Sequence, residues 1–297
     1  MTFPLPRRFR RVRRFPKRIG IVWFQGEENL TRPSFVENVR NWRLLNPEWE
    51  VVVLDDAALR EICYRYSEAC GRLYDQFDVM HLKIDFGRYV SLWETVGMYV
   101  DMDCFAMRSL DRSSHIQSVM QKYEKEGMDI IGLSEFPMGT VEGWLGQLAM
   151  GNSLSSIVTI EVNNGVMMAT PHHPLMREWI DTLICENQPY PPLPPSPTPA
   201  QKHRRIQNTT GPTRFNRFFQ RHWDKECIVR LPFYLFEPGL PYLHYDIREE
   251  TVAIHVMDNS WATPTTKSLQ KFYYLYVRPY LGVFVLFILI LLIFRKK

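Results

Sequence analysis

The chain has 297 residues, 45% of them apolar and 13% aromatic, enough to bury one large core or two small ones. Its net charge of +4 sits at the ends: eight Lys/Arg fall in residues 7–18, and Arg295, Lys296 and Lys297 close the chain. Setting those eleven aside leaves 25 basic against 32 acidic residues, and an acidic body argues against a nucleic-acid partner.

Residues 1–17 form a basic arm in which Arg pairs alternate with Phe or Val. It lacks the apolar stretch of a secretory signal and suits a solvated segment attracted to anionic lipid headgroups. Arg18–Phe24 is a short apolar run, read as a buried first strand. Residues 34–46 predict a helix, with Ser34 as a cap and Asn46-Pro47 as the stop. Glu50–Leu54 reads as a second strand, ending in Asp55-Asp56, which can cap a helix over 57–69. This β-α-β-α opening predicts an α/β sheet with nucleotide chemistry at its strand ends.

Residues 81–97 read as another helix and Met98–Asp101 as a strand. Further strands are expected at 129–133, 166–169, 231–236 and 251–256, with helices near 173–185 and 213–222. The segment 189–200 holds seven prolines in twelve residues and reads as an extended loop. Five widely spaced cysteines without a C-x-x-C pattern argue against a disulfide framework or a zinc site.

Residues 281–294 carry no polar side chain, and fourteen helical residues reach only about 21 Å. Extension back to Phe272 supplies length for a C-terminal membrane helix, 272–294, with Tyr residues at one interface and Arg-Lys-Lys beyond the other. Without a cleavable signal the body would be cytosolic. Positive charge on both sides of the segment leaves its orientation open.

The chemistry concentrates in 83-KIDFGRYVSLWETVGMYVDMDC-104. On a helix His81, Asp85 and Arg88 share one face; taken alone, they are an ordinary solvated ion pair. On a strand Asp101 and Asp103 point the same way. Two carboxylates at the end of a buried strand repel unless a cation lies between them, and hard oxygen ligands suit Mg²⁺ or Mn²⁺.

Asp85-x-x-Arg88-Tyr89 followed by Tyr99-Val-Asp101-Met-Asp103 resembles the D-x-D glycosyltransferases of family 32, which include initiating and inositolphosphoceramide mannosyltransferases and α-1,4-galactosyltransferases. Ile21-Val-Trp23-Phe, Asn41-Trp42, Asn46-Pro47, Leu54-Asp55, Asn163-Asn164-Gly165-Val166, His172-His-Pro174, Thr210-Gly-Pro212, His255 and Ser260-Trp261 extend the resemblance in order over residues 18–262. Two departures stand out: Gly20 replaces a frequent His, and Val96-Gly97 replaces Gly-Gly.

The resemblance implies a GT-A type mixed α/β fold over 18–265 that binds a nucleotide-sugar, a UDP- or GDP-hexose, at the strand C-termini. It implies that Asp103 ligates the metal directly, with His255 as a late ligand and Asp258 as its rival, while Asp101 contacts ribose or sugar and touches the metal through water. Asp85 and Arg88 would hold sugar hydroxyls, Tyr99 would line the pocket and Trp23 would stack on the base. Ser260 and Trp261 would close over the diphosphate. Asn163 and Asn164 reach toward sugar or acceptor, although a turn at Asn164-Gly165 is the simpler reading.

The family retains anomeric configuration, so the expected product is an α-glycoside on a glycan or lipid acceptor. No nucleophile stands out, and Glu135 and Glu161 are the carboxylates to check. The competing class is a catalytically silent, membrane-tethered sugar-binding protein of the same fold. A metal-dependent phosphoesterase or nuclease lacks a second set of carboxylates.

Overall fold

The computed structural model describes residues 14–136, 162–238 and 247–256, together with Ser268, Phe272, Tyr276 and Tyr280. Glu161, Asp258, Ser260, Trp261 and the apolar run 281–294 lie outside the described residues.

Strand β1 (Arg18–Val22) pairs in parallel with β2 (Glu50–Leu54) on one side and β3 (Met98–Val100) on the other. β6 (Val162–Ala169) runs antiparallel to β3 and to β5 (Ile131–Glu135), and β7 (Ile228–Leu231) pairs in parallel with β5. Among the described residues this gives one mixed sheet in the order β2-β1-β3-β6-β5-β7. A second, two-stranded sheet pairs β4 (Cys104–Ala106) antiparallel to β8 (Ala253–His255).

Alternation along each strand sends side chains to two separate cores. Val22, Leu54, Tyr99, Leu133 and Met167 pack on one side, against α2 (Asp56–Tyr66), α3 (Glu68–Gln76), α4 (Met80–Glu94), α6 (Pro174–Glu186) and α8 (Pro212–Gln220). Ile19, Ile21, Val51, Val100 and Met168 pack on the other, against α1 (Pro33–Leu45) and α5 (Ser114–Gln121). Helices therefore cover both faces of the sheet, which is the mixed α/β architecture expected.

Local signals account for most boundaries. Asp55 caps α2 by accepting from the Ala58 N–H, and Asn46 ends α1. Other expectations shift. Arg32, not Ser34, is the N-cap of α1, because Pro33 takes the first helical position. The helix over 57–69 is two helices, broken where the Ser67 side chain accepts from the Cys70 N–H. The Asn164-Gly165 turn is instead the middle of the eight-residue β6. The strand expected at 231–236 ends at Leu231, where Pro232 has no N–H to give a ladder, and a 3₁₀ turn follows over Phe233–Leu235.

The proline loop runs into α7 (Pro199–Thr209), which is opened by a Thr198–Gln201 capping box. The loop is tied down by Asp78, which accepts from the Tyr190 hydroxyl and the Leu193 N–H. Phe15 is buried and Lys17 pairs with Asp111, so packing begins inside the basic arm. All five cysteines are free thiols. No helix of the described residues is long and apolar enough to cross a membrane.

Candidate active site

Strand β3 is buried throughout and delivers the chain to Asp101 at its C-terminal end. A tight turn follows, closed by the Cys104 N–H donating to the Asp101 carbonyl. Asn38 of α1 fixes this turn: its side chain donates to the Met102 and Cys104 carbonyls at 2.9 and 3.0 Å and accepts from the Ala106 N–H. Trp42 adds an indole N–H to the Cys104 carbonyl at 2.9 Å. The β4–β8 pairing sets Cys104 opposite His255, which brings the imidazole beside Asp103.

The result is a cluster of Asp101, Asp103 and His255 with one ligand atom from each within 4.8 Å of the others. His255 Nε2 lies 3.2 Å from Asp103 Oδ1 and 3.9 Å from Asp101 Oδ2. The two aspartates keep side-chain exposures of 22% and 18%, so the cluster opens to solvent on one side. Gly165 lets β6 approach: a Cβ there would lie 2.8 Å from Asp101 Oδ2 and 2.9 Å from His255 Cε1.

Arg88, buried on α4, ties this cluster to a deeper network. It pairs with Asp101 at 3.0 Å and Asp85 at 3.0 Å, donates to the Asn164 carbonyl at 3.1 Å and lies over the Tyr99 ring. The Tyr99 hydroxyl donates to Asp101 at 2.6 Å. Asp85 also accepts from Asn164 and Thr210, while Asn164 donates to the Tyr89 hydroxyl, which donates in turn to the Thr210 carbonyl.

Burial pushes the Asp85 carboxyl up to about 6 despite Arg88 beside it, with the charge on Asp101 adding to the rise. Burial opposes the charge on Arg88, yet Asp101, Tyr99 and Asp85 outweigh it and raise its basicity. His255 is driven down by burial and more strongly up by Glu237 and Asp103, so it holds a proton well above its usual range.

Sequence-derived candidates thus converge: Asp85, Arg88, Tyr99, Asp101, Asp103, Asn164 and His255 form one connected group. Asn164 turns inward to Asp85 and Tyr89. Trp23, half-buried just past β1, meets Phe35 edge-on at 5.7 Å, and its indole N–H has no partner. Glu135 is drawn to Arg230 at 3.0 Å.

Glu237 has no part in the sequence-derived set. It is completely buried, accepts from Asn163 at 2.8 Å and lies 2.8 Å from His255 Nδ1. Its one sequence signal is an acid inside the apolar run 231-LPFYLFEP-238. Tyr89 and Thr210 lie within quoted motifs, but nothing in their spacing shows that they brace Asp85 and Asn164.

Residues 33–123, which hold α1, Asp85, Arg88, Asp101 and Asp103, match the family described as "Glycosyltransferase sugar-binding region containing DXD motif". The chain resembles the family 32 glycosyltransferases. This family-32-like chain is 26% identical over 128 residues to the "Initiation-specific alpha-1,6-mannosyltransferase" of Candida albicans (strain SC5314 / ATCC MYA-2876), covering 41% of this chain and 33% of that one. It therefore spans about a third of that relative's length. Among solved structures, "PaToxG Glycosyltransferase" aligns at a TM-score of 0.39 and 11% identity, covering 70% of this chain and 69% of that one. The ligand-free glycosyltransferase domain from the YGT toxin aligns at 0.39 and 10%, covering 74% and 81%.

Proposed function

We propose that this chain is a membrane-attached, divalent-metal-dependent, retaining glycosyltransferase with a GT-A type fold. It moves a hexose from a UDP- or GDP-sugar to a glycan or lipid acceptor as an α-glycoside. The observation that carries the reading is the convergence of Asp101, Asp103 and His255 at the end of β3, with Arg88 3.0 Å from Asp101. Two carboxylates and one imidazole form a mixed oxygen and nitrogen donor set that suits Mn²⁺ better than Mg²⁺. Asp103, His255 and Asp101 would hold the ion, which when bound neutralises charge on the nucleoside diphosphate.

The chain's own residues supply the rest. Arg88 adds a fixed guanidinium where phosphate charge develops, preorganised by Asp85 and the Asn164 carbonyl. Asp85, ionised above about 6, accepts hydrogen bonds from hydroxyls of the donor sugar. Trp23 offers an aromatic face for the base, and Ser260 with Trp261 closes over the diphosphate. The segment 272–294 anchors the enzyme to a membrane.

Among the described residues, each carboxylate in or beside this cluster is already paired: Asp85 and Asp101 with Arg88, Asp103 and Glu237 with His255. That favours front-face attack, in which the acceptor oxygen bonds to the anomeric carbon as the bond to phosphate breaks. The leaving phosphate takes the acceptor's proton.

The test is a panel of UDP-galactose, UDP-glucose, UDP-N-acetylglucosamine and GDP-mannose with Mn²⁺, read by released nucleoside diphosphate. One donor should turn over, and Asp103→Ala should slow it by about 10²-fold or more, since the ion's contribution is several kcal/mol. Donor binding without turnover by the wild-type chain would establish the silent sugar-binding alternative instead. Undiminished activity of Asp103→Ala would remove that residue from the site.

A further inference from the structure

We propose that Glu237 is a positioning residue that locks His255 with its proton on Nδ1, so that Nε2 faces Asp103 and Asp101 as a metal ligand. This rests on the reading above that those three residues hold a divalent ion, and adds to it a buried carboxylate outside the D-x-D segment.

The geometry places a proton on Nδ1, and a bound ion would take the place of the Nε2 proton that otherwise faces Asp103. The Gly165 N–H donates to Asn163 Oδ1 at 3.0 Å, which fixes the amide and turns Asn163 Nδ2 toward Glu237 Oε1 at 2.8 Å. His255 Nδ1 is 2.8 Å from the same carboxylate oxygen. Two acceptors cannot approach so closely without a proton between them, and because Oε1 already accepts from Asn163, the ring nitrogen Nδ1 is assigned as the donor. Asn163 Nδ2, 3.2 Å from Nδ1, then spends its hydrogen on Glu237 rather than on the ring.

Nε2 is thereby left facing the aspartates, 3.2 Å from Asp103 Oδ1. A carboxylate, an imidazole and a cation in line is the arrangement that orients a ligating histidine and raises its basicity.

The backbone explains why Glu237 is there. Its N–H donates to the Phe233 carbonyl at 2.7 Å, and the His255 N–H donates to the Phe236 carbonyl at 2.9 Å. The 3₁₀ turn and β8 are thus zipped together with Glu237 beneath the imidazole. Glu237 is fully buried and its Oε2 has no partner, an expensive way to fill space in a core. An apolar side chain would pack at lower cost, but it would leave Nδ1 without an acceptor.

The experiment titrates Mn²⁺ onto the 297-residue chain, following free ion by electron paramagnetic resonance, for wild type, Glu237→Gln, His255→Ala, the double variant and Asp103→Ala. Loss of a ligand-orienting partner weakens metal binding by about 10–100-fold. Glu237→Gln should show a loss in that range while melting near wild type in chelator, and the double variant should bind no more weakly than His255→Ala. A wild-type dissociation constant for Glu237→Gln, with Asp103→Ala impaired, overturns the role of Glu237 alone. Full binding by Asp103→Ala, or none by the wild type, overturns the metal site and this proposal with it. Should Glu237→Gln not fold, long-range ¹H–¹⁵N spectra of the wild-type chain with Cd²⁺ decide: Nδ1 protonated supports the proposal, and Nε2 protonated sinks it.

Discussion

Asp85, proposed above to hold the donor sugar, sits where stability alone would select against a carboxylate. Burial raises its carboxyl to about 6 against an ordinary value near 4, so its ionisation works against folding. Its contribution to stability is therefore present in full below pH ~4 and lost as pH rises through about 6, amounting to roughly 2–3 kcal/mol. Wild type should lose that much relative to Asp85→Asn between pH 4 and 7 in paired denaturation curves; a stability difference that ignores pH would contradict the shift. Turnover should move the opposite way. On the proposed role, in which the ionised form accepts hydrogen bonds from sugar hydroxyls, kcat/KM should fall as pH drops through about 6, and Asp85→Asn should lose about 10–100-fold, the worth of one hydrogen bond to a charged group. Trp23 is subject to a different check. Its ring is partly exposed past the end of β1, and stacking of a base on it would be worth about 1–3 kcal/mol. Trp23→Ala should weaken donor-nucleotide binding by about 5–150-fold in a calorimetric titration, with little change in the rate at saturating donor.

At the scale of elements, α1 is the clamp on the D-x-D turn. Asn38 satisfies three backbone groups of residues 102–106, and Trp42 satisfies one of them a second time. Asn38→Ala would strand the Met102 carbonyl and the Ala106 N–H, each worth about 1–3 kcal/mol, and should cost about 2–4 kcal/mol in urea denaturation. It should also weaken Mn²⁺ binding, because the turn it holds carries both aspartates. The two departures from the family pattern meet in space: a Cβ on Gly20 would sit 3.2 Å from Val96 Cγ1, so the small residue on β1 makes room for the larger one before β3. Gly97 has no such slack, since a Cβ there would lie 2.1 Å from the Pro16 carbonyl oxygen. The first strands and the helices α1 and α2 were legible because their signals are local: apolar runs of five residues, an Asp55 cap, an Asn46-Pro47 stop. The short β4 was not, because it is set by a partner far along the chain; the split at Ser67 and the 3₁₀ turn before Glu237 have local causes, the Ser67 cap on Cys70 and the proline at 232, that compete with an otherwise continuous apolar pattern. Cys104–Ala106 becomes a strand only by pairing with residues 253–255. Glu237 reads as an isolated acid until β8 lies against it.

For the molecule as a whole, the proposed metal site would link folding to the ion. Asp101, Asp103 and His255 come from segments about 150 residues apart, so an unfolded chain cannot present them together, and an ion held there would bind the native state selectively. At a Mn²⁺ concentration 100 times the dissociation constant, that selectivity stabilises the fold by about 2.7 kcal/mol. A body of this size gains about 2–4 °C in melting temperature per kcal/mol, so Mn²⁺ should raise it by about 5–10 °C. Asp103→Ala should erase the rise, whereas Trp23→Ala, which touches none of the three ligands, should keep it. The same scan with donor nucleotide added separates the two halves of the site. A further increment that needs both Trp23 and the ion means that base and diphosphate are held as one ligand. An increment independent of Mn²⁺ would place the nucleotide elsewhere, and the Asp101–Asp103 cluster would then have no claim on the diphosphate.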